Sequence, residues 1–382
     1  MADPPRSLGL PQTLEFDLAS ISEAVARIAA FSQALDPALV LLFVSRGHAL
    51  GPLSKALRAV LPQECRMAGC SSAGELVESG YADGGGLAVV FPAASFACEV
   101  VALRNLRHSE VTSWMAGARA ARNRLSQRAK GQMLGIVVAD GLSRREDVLA
   151  AALDAALPRM PIMGGFGGNG MEFSHVAVMI DGEVSEDAAV LCLIATDLNV
   201  EELVFAHFAP TNQRGVVTAA DPDAHVILEL NAEPAAGEYA RLAGLEMAHL
   251  NPHEFASHPL LMRVGRHHHV RAISGVREDG GLQLLASIDI GAVLTLGRAE
   301  NLVEGFATAL ARLPRKPALV LGFDCILRRL ALEQAGLTKE VAQLHAHYNI
   351  RGFNTYGELY EGMHVNQTFV GVAFMEPEPN GE

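Results

Sequence analysis

Apolar positions along the chain follow two rhythms. Residues 39–45, 134–140 and 318–323 are continuous apolar runs, the pattern of strands buried on both faces. Elsewhere apolar residues return at helical spacing. Ile21, Val25, Ile28 and Phe31 predict a helix over 20–34, and further helices are expected over 51–61, 109–128, 143–157, 299–310 and 337–347. Shorter stretches at 67–70, 87–91, 96–103, 203–208, 215–218, 349–356 and 368–375 read as further strands. Two hairpins are expected, 176–180 with 188–194 around Asp181-Gly182, and 268–273 with 282–288 around Asp279-Gly280-Gly281.

Strands alternating with helices predict an α/β fold (mixed α+β), built as two fused α/β regions with mixed parallel and antiparallel sheets and flanking helices. The expected division is an N-terminal arm and helix over 1–34, a first domain over 35–228 and a second over 229–375. Residues 1–15 and 376–382, rich in Pro and polar groups, read as loose ends. The recurring runs at 39–45, 134–140 and 319–323 suggest a common architecture and an internal duplication.

Composition narrows the function. Half of the 382 residues are hydrophobic and 19% are charged, enough apolar material for a sizeable core. Apolar runs such as 38–44 fall far short of the roughly 20 residues of a spanning helix, so no membrane insertion is expected. No secretory signal is visible at the N-terminus. A net charge of −13 with no basic stripe argues against nucleic-acid binding. Five scattered cysteines without a Cys-x-x-Cys pair read as a cytoplasmic protein in a reducing compartment, with no zinc ribbon or covalent haem.

Several residues could carry chemistry. The small residues Gly69, Cys70, Ser71, Ser72, Ala73 and Gly74 would let backbone N–H groups line an anion-binding concavity. The segment lacks the Lys of a phosphate loop, and Ala73 breaks the spacing of a nucleophile elbow, so a plain tight turn remains the alternative. Residues 164–170, five of them Gly, are expected to form a loop packed on a ligand or on another backbone. Asp324 and Cys325 end a buried strand, where α/β sheets collect ligands. Cys325 is either a reactive thiolate or, the favoured reading, a packing residue. Fourteen histidines include the run His267-His268-His269 and the pair His249/His253, but no His-Glu-x-x-His. A single axial His for non-covalent haem would leave no spacing signature.

Taken together and in order, these segments resemble the FIST domains of bacterial signalling proteins. Residues 67–75 (Met-Ala-Gly-Cys-Ser-Ser-Ala-Gly-Glu) resemble the first FIST signature, and 161–169 (Pro-Ile-Met-Gly-Gly-Phe-Gly-Gly-Asn) its Gly-rich one. Val217-Thr218, 227–231 and Pro234-Ala235 are similar to the end of the N-terminal FIST region. Phe323-Asp324-Cys325 with Arg328, then 352–358 (Gly-Phe-Asn-Thr-Tyr-Gly-Glu) and Asn366-Gln367-Thr368, resemble the C-terminal signatures. The resemblance covers roughly 35–375.

What it implies is a ligand sensor acting on a partner, not an enzyme. A FIST chain with nothing fused to it resembles the NosP group of nitric-oxide-sensing haemoproteins, which bind haem b and modulate a separate sensor histidine kinase. On that resemblance His207 and His364 are the expected axial ligands, with His345 and His347 next. Arg328, Arg329 and Arg351 could pair with propionates. A second reading is a haem-free sensor of a small polar metabolite such as an amino acid. Its site would draw on Gly69, Cys70, Ser71, Ser72, Asp324, Cys325, Arg328, Tyr356, Glu358 and Asn366. A third is a hydrolase using Ser71 or Cys70. A homo-oligomer is left open.

Overall fold

The computed structural model describes residues 9–376 except 46, 109, 130, 173, 265 and 266. The expected loose tail, apart from Glu376, and the first eight residues of the expected arm lie outside the described residues. The rest of that arm is not loose. Gln12–Asp17 is a strand paired antiparallel with Gly85–Pro92, which places Phe16 in the core.

The chain is mixed α/β, and among the described residues three of its four sheets are copies of one unit. In each unit a strand and a helix lead into a parallel strand pair joined by one or two helices, and a last strand returns antiparallel between the first strand and the pair. In the first unit these are Gln12–Asp17, the helix Ile21–Gln33, the pair Pro37–Val44 and Arg66–Ser71, and Gly85–Pro92. In the second they are Phe96–Arg104, the helix Val111–Arg128, the pair Gln132–Asp140 and Ile162–Gly167, and Ala188–Thr196. In the third they are Val200–Ala206, the helix Leu302–Leu310, the pair Pro317–Cys325 and Ile350–Thr355, and Thr368–Met375. The third unit differs by an insertion, 207–301, between its first strand and first helix.

Each unit completes its neighbour. After the second strand of every pair the chain makes a short hairpin that joins another unit's sheet. Glu75–Val77 with Gly80–Ala82 leaves the first unit and extends the third. Val178–Ile180 with Glu183–Ser185 leaves the second and extends the first. Gly357–Tyr360 with Met363–Val365 leaves the third and extends the second. Asp181-Gly182 and Glu361-Gly362 turn two of these hairpins with positive φ at both central residues, which the twist of a two-residue turn requires.

Continuous apolar runs became central strands because both faces are covered. Leu39, Leu41 and Phe43 point into one core shared by all three sheets, together with Ile136, Val138, Leu321 and Phe323. Val40, Leu42 and Val44 point outward under the helices of their own unit. Residues 164–167, expected to be loop, are part of the strand Ile162–Gly167. Glycine is needed there for a close approach. A Cβ on Gly164 would collide with the carbonyl oxygen of Val137, as one on Gly69 would with Leu42 and one on Gly352 with Gly322. These three glycines hold the same register in their three units.

The insertion has its own core, in which Val217, Ile227 and Leu294 of a separate antiparallel sheet are buried together with Tyr239 and Phe255 of its helices. A division at 228/229 falls inside one of its strands, Val226–Leu230.

Candidate functional site

A cavity of about 320 Å³ opens at the carboxyl ends of the central strands of the second and third units, where the insertion folds over them. Gly141, Leu142, Glu146 and Phe166 form the second unit's wall. Ile326, Leu327 and Tyr356 come from the third, and His225, Ser274 and Leu285 from the insertion. His364 enters on the third unit's exchanged hairpin.

His364 is buried, and burial pulls its pKa down to about 4, so the ring is neutral near pH 7. Asn366 Nδ2 lies 3.2 Å from Nε2, and Nδ1 has no partner among the described residues. The edge of Phe166 packs on the ring at a centroid distance of 4.9 Å. Gly357 makes room for it, because a Cβ there would strike Nε2. The Tyr356 hydroxyl accepts from the Asn169 amide at 3.0 Å and donates to the Gly170 carbonyl at 3.1 Å, which fixes the Gly-rich turn beside the cavity. Burial pushes the Glu146 carboxyl up to about 8, so it carries a proton at neutral pH.

His207 lies elsewhere, where the chain passes from Val200–Ala206 into the insertion. Its ring packs at a tilt on Phe208, centroids 3.9 Å apart, its Nδ1 has no partner among the described residues, and burial together with nearby Arg328 pulls its pKa down to about 3. It faces a wider groove of about 550 Å³ with Glu300, Glu304 and Arg312. The two expected axial histidines therefore serve different cavities.

Each of the three expected propionate partners is already ion-paired. Arg328 is fully buried and holds both oxygens of Asp324 at 2.8 Å. Its guanidinium lies over Phe306 at 4.4 Å, and Tyr81 donates to Asp324 at 2.7 Å. Arg351 pairs with Glu78 at 3.1 Å. Arg329 bridges Asp83 and Glu333. His345 is fully buried against the Gly80 carbonyl and is pulled down to about 3. His347 is exposed, with its ring edge-on to Tyr348.

Residues 69–75 form structure rather than an open concavity. Ser71 Oγ accepts from the Ala177 amide at 3.0 Å, and Ser72 donates to Glu75 at 2.6 Å. The third unit repeats the second of these contacts. Thr355 and Thr368 donate to the buried Glu358, and burial pushes both Glu75 and Glu358 up to about 8. Cys70 and Cys325 are fully buried, which pushes both thiols well above their usual range. Among the described residues no group of three or more His, Cys, Asp or Glu could hold a metal ion, and no helix is long and apolar enough to cross a membrane.

A family model described as the FIST N domain matches residues 38–233, and one described as the FIST C domain matches 235–361. The chain belongs to the FIST family. FIST domains are in general sensory modules that bind small ligands in signal transduction. No curated protein matches the sequence. Among solved structures, one titled "Cyanuric acid hydrolase: evolutionary innovation by structural concatenation" is similar over 96% of this chain and 99% of its own, at 9% identity and a TM-score of 0.38.

Within the FIST chain, Tyr356 and His364 are the expected site residues that line the cavity. Asn366 supports His364 from behind. Asp324, Arg328, Glu358, Cys325 and residues 69–72 lie in the buried framework beneath. His225 and Glu146 were missed. Glu146 had a signal, since Ser143-x-x-Glu146 has capping-box spacing at the start of the helix Glu146–Ala156. His225 had none, because a lone His in a polar segment has no pattern.

The residues of the cavity suit a haem. The wall is largely apolar (Leu142, Phe166, Leu285, Ile326, Leu327), a neutral imidazole has an unpartnered nitrogen, and Arg144 is the cation on the lining. With the Asn366 amide turned so that its oxygen accepts from Nε2–H, Nδ1 keeps the lone pair that a metal takes. That turn also gives a partner to Asn366 Oδ1, at the loss of the 3.5 Å donation from Nδ2 to the Tyr356 carbonyl.

Proposed function

We propose that this FIST protein is a cytoplasmic sensor that carries haem b in the cavity between its second and third units. His364 holds it, nitric oxide is the signal, and a separate histidine kinase reads the outcome. The observation that carries this reading is the buried, neutral His364 with an unpartnered ring nitrogen on the wall of an apolar cavity. When bound, the haem supplies the iron to which a diatomic gas binds. The chain's own part is to exclude water with Leu142, Phe166 and Leu327, to orient the imidazole through Asn366, and to set the Arg144 cation at the wall. No catalytic turnover is proposed, since Ser71 and Cys70, the nucleophiles on which a hydrolase reading rested, are fully buried.

The test is an absorbance spectrum of protein expressed with haem supply. A stoichiometric Soret band that shifts on adding nitric oxide and is lost in His364→Ala is expected. A chain that stays colourless after reconstitution, or a His364→Ala variant with the parent spectrum, overturns the reading. The protonated Glu146 and Gln283 on the same wall favour one alternative, a polar metabolite such as an amino acid in this cavity. A thermal-shift screen that raises the melting temperature of colourless protein would select it.

A further inference from the structure

We propose that the insertion supplies the opposing half of the site: His225 grips the ligand across from His364, so that the bound ligand ties the insertion to the three-unit core. The inference rests on the reading that haem occupies this cavity.

Three observations carry it. First, His225 and His364 line one cavity from separately folded parts of the chain, the insertion and the third unit's hairpin. Second, His225 sits in a left-handed conformation, φ +57°, uncommon for a side-chain-bearing residue, and hydrogen bonds hold its backbone there. The Leu284 amide and the Gln283 side chain both donate to the His225 carbonyl, at 2.8 and 3.1 Å, and the His225 amide donates to Pro222. The ring itself makes no hydrogen bond to a described residue, though only 7% of the residue is exposed. A rigidly built backbone thus presents an uncommitted imidazole to an apolar cavity. Burial lowers its pKa and keeps it neutral, the form that binds a metal.

Third, the insertion is joined to the core in a way that a ligand could govern. Its own core is complete. Around the cavity it meets the rest of the chain through a small apolar cluster (Phe208, Leu261, Val270 and Ala272 against Leu327) and a few polar ties. One of those ties starts at the site. Arg271 donates to the His364 carbonyl at 2.9 Å, and Val270 bridges Asn366. Others are Ser287 to Asp147 at 3.0 Å and the exposed Arg145–Asp223 pair at 3.4 Å. An element with its own core and a small, partly polar interface moves relative to its neighbour unless something pins it. A ligand held by imidazoles on both sides is such a pin, and loss of either contact frees the insertion. Occupancy at His364 is thereby converted into a change on the outer surface, which is what a partner protein reads.

The experiment adds haemin to the full-length protein and to His225→Asn, and records absorbance and amide hydrogen exchange. Asn accepts the left-handed backbone at 225, so the variant removes the imidazole and keeps the turn. If it does not fold, His225→Gly takes its place, since Gly adopts φ > 0 freely. In the parent, haemin is expected to slow exchange several-fold in Val226–Leu230 and Leu282–Leu284. The variant should take up haemin with a shifted absorption band and without that slowing. Haemin uptake that depends on His364 but gives the same band and the same slowing in both proteins overturns the inference and leaves the cavity reading standing. Failure of the parent to take up haemin overturns both.

Discussion

Replacing Arg328 with Met tests whether the buried polar cluster of the third unit is as costly to break as its geometry implies. Neither Arg328 nor Asp324 has any exposed side-chain surface, and both carboxylate oxygens rely on the same guanidinium nitrogen at 2.8 Å. In Arg328→Met the apolar cage of Phe205, Phe306 and Phe369 accepts the new side chain, but Asp324 keeps only the Tyr81 hydroxyl. Removing one partner of a fully buried pair costs about 3–5 kcal/mol, because the remaining charge is uncompensated. The loss should depend on pH with a definite sign. Burial already holds the Asp324 carboxyl above its usual range, with Arg328 opposing it. Without Arg328 the folded state binds that proton more tightly still, whereas the unfolded state does not. Stability then falls as pH rises between the unfolded and folded pKa values, so the deficit is deeper at about pH 8 than at about pH 5. The double variant Arg328→Met/Asp324→Leu removes the orphaned charge and should recover most of the loss. Urea unfolding of the four proteins measures the cycle. A loss below about 1 kcal/mol for Arg328→Met, the size of an exposed pair, or a double variant as unstable as the sum of the singles, would refute the reasoning.

The other expectations are simpler to state. Gly69→Ala, Gly164→Ala and Gly352→Ala each force a Cβ into a neighbouring carbonyl oxygen and should yield insoluble or unfolded protein, whereas Gly51→Ala, with open space in a helix, should raise stability by about 0.5–1 kcal/mol; a tolerated change at the three strand positions would contradict the close packing. Glu358 keeps its proton to about pH 8 when folded against about 4.5 unfolded, so stability should fall as pH rises through that window, and Glu358→Gln should flatten the fall. An unchanged pH slope would mean the buried carboxyl is ionised. Residues 235–361 expressed alone should not fold, because the third unit's sheet is completed by Glu75–Val77 and Gly80–Ala82 and its first strand is Val200–Ala206; a cooperative melt of that fragment would refute the exchange of hairpins. Thiol labelling of the native protein should be slow at all five cysteines, since all are buried.

Local pattern determined much of this protein. Runs such as 39–44 had to become central strands, since only burial on both faces suits apolar residues at every position. Asp181-Gly182 had to turn a hairpin, but its second strand is Glu183–Ser185 and not the expected 188–194, which pairs instead with Phe96–Arg104 and Gln132–Asp140; the ordered signatures at 67–75, 161–169 and 352–358 were enough to point to the FIST family. Those same signatures read as candidate site residues, yet most of them turned out to be framework. The Ser72–Glu75 and Thr355–Glu358 contacts sit beneath equivalent turns of two units, where the strand register needs them. Only the tertiary structure decided that there are three units, that each hairpin completes another unit's sheet, and that 207–301 is an insertion into the third. Alternating faces encode burial but do not encode which strand lies alongside, because pairing partners distant in sequence are chosen by the packing of the whole core. The cavity has the same origin. Leu142, His225, Tyr356 and His364 come from the second unit, the insertion and the third unit, far apart in sequence, and a single histidine leaves no periodic mark. Their meeting follows from how the insertion settles over the ends of two sheets, an arrangement made by long-range contacts.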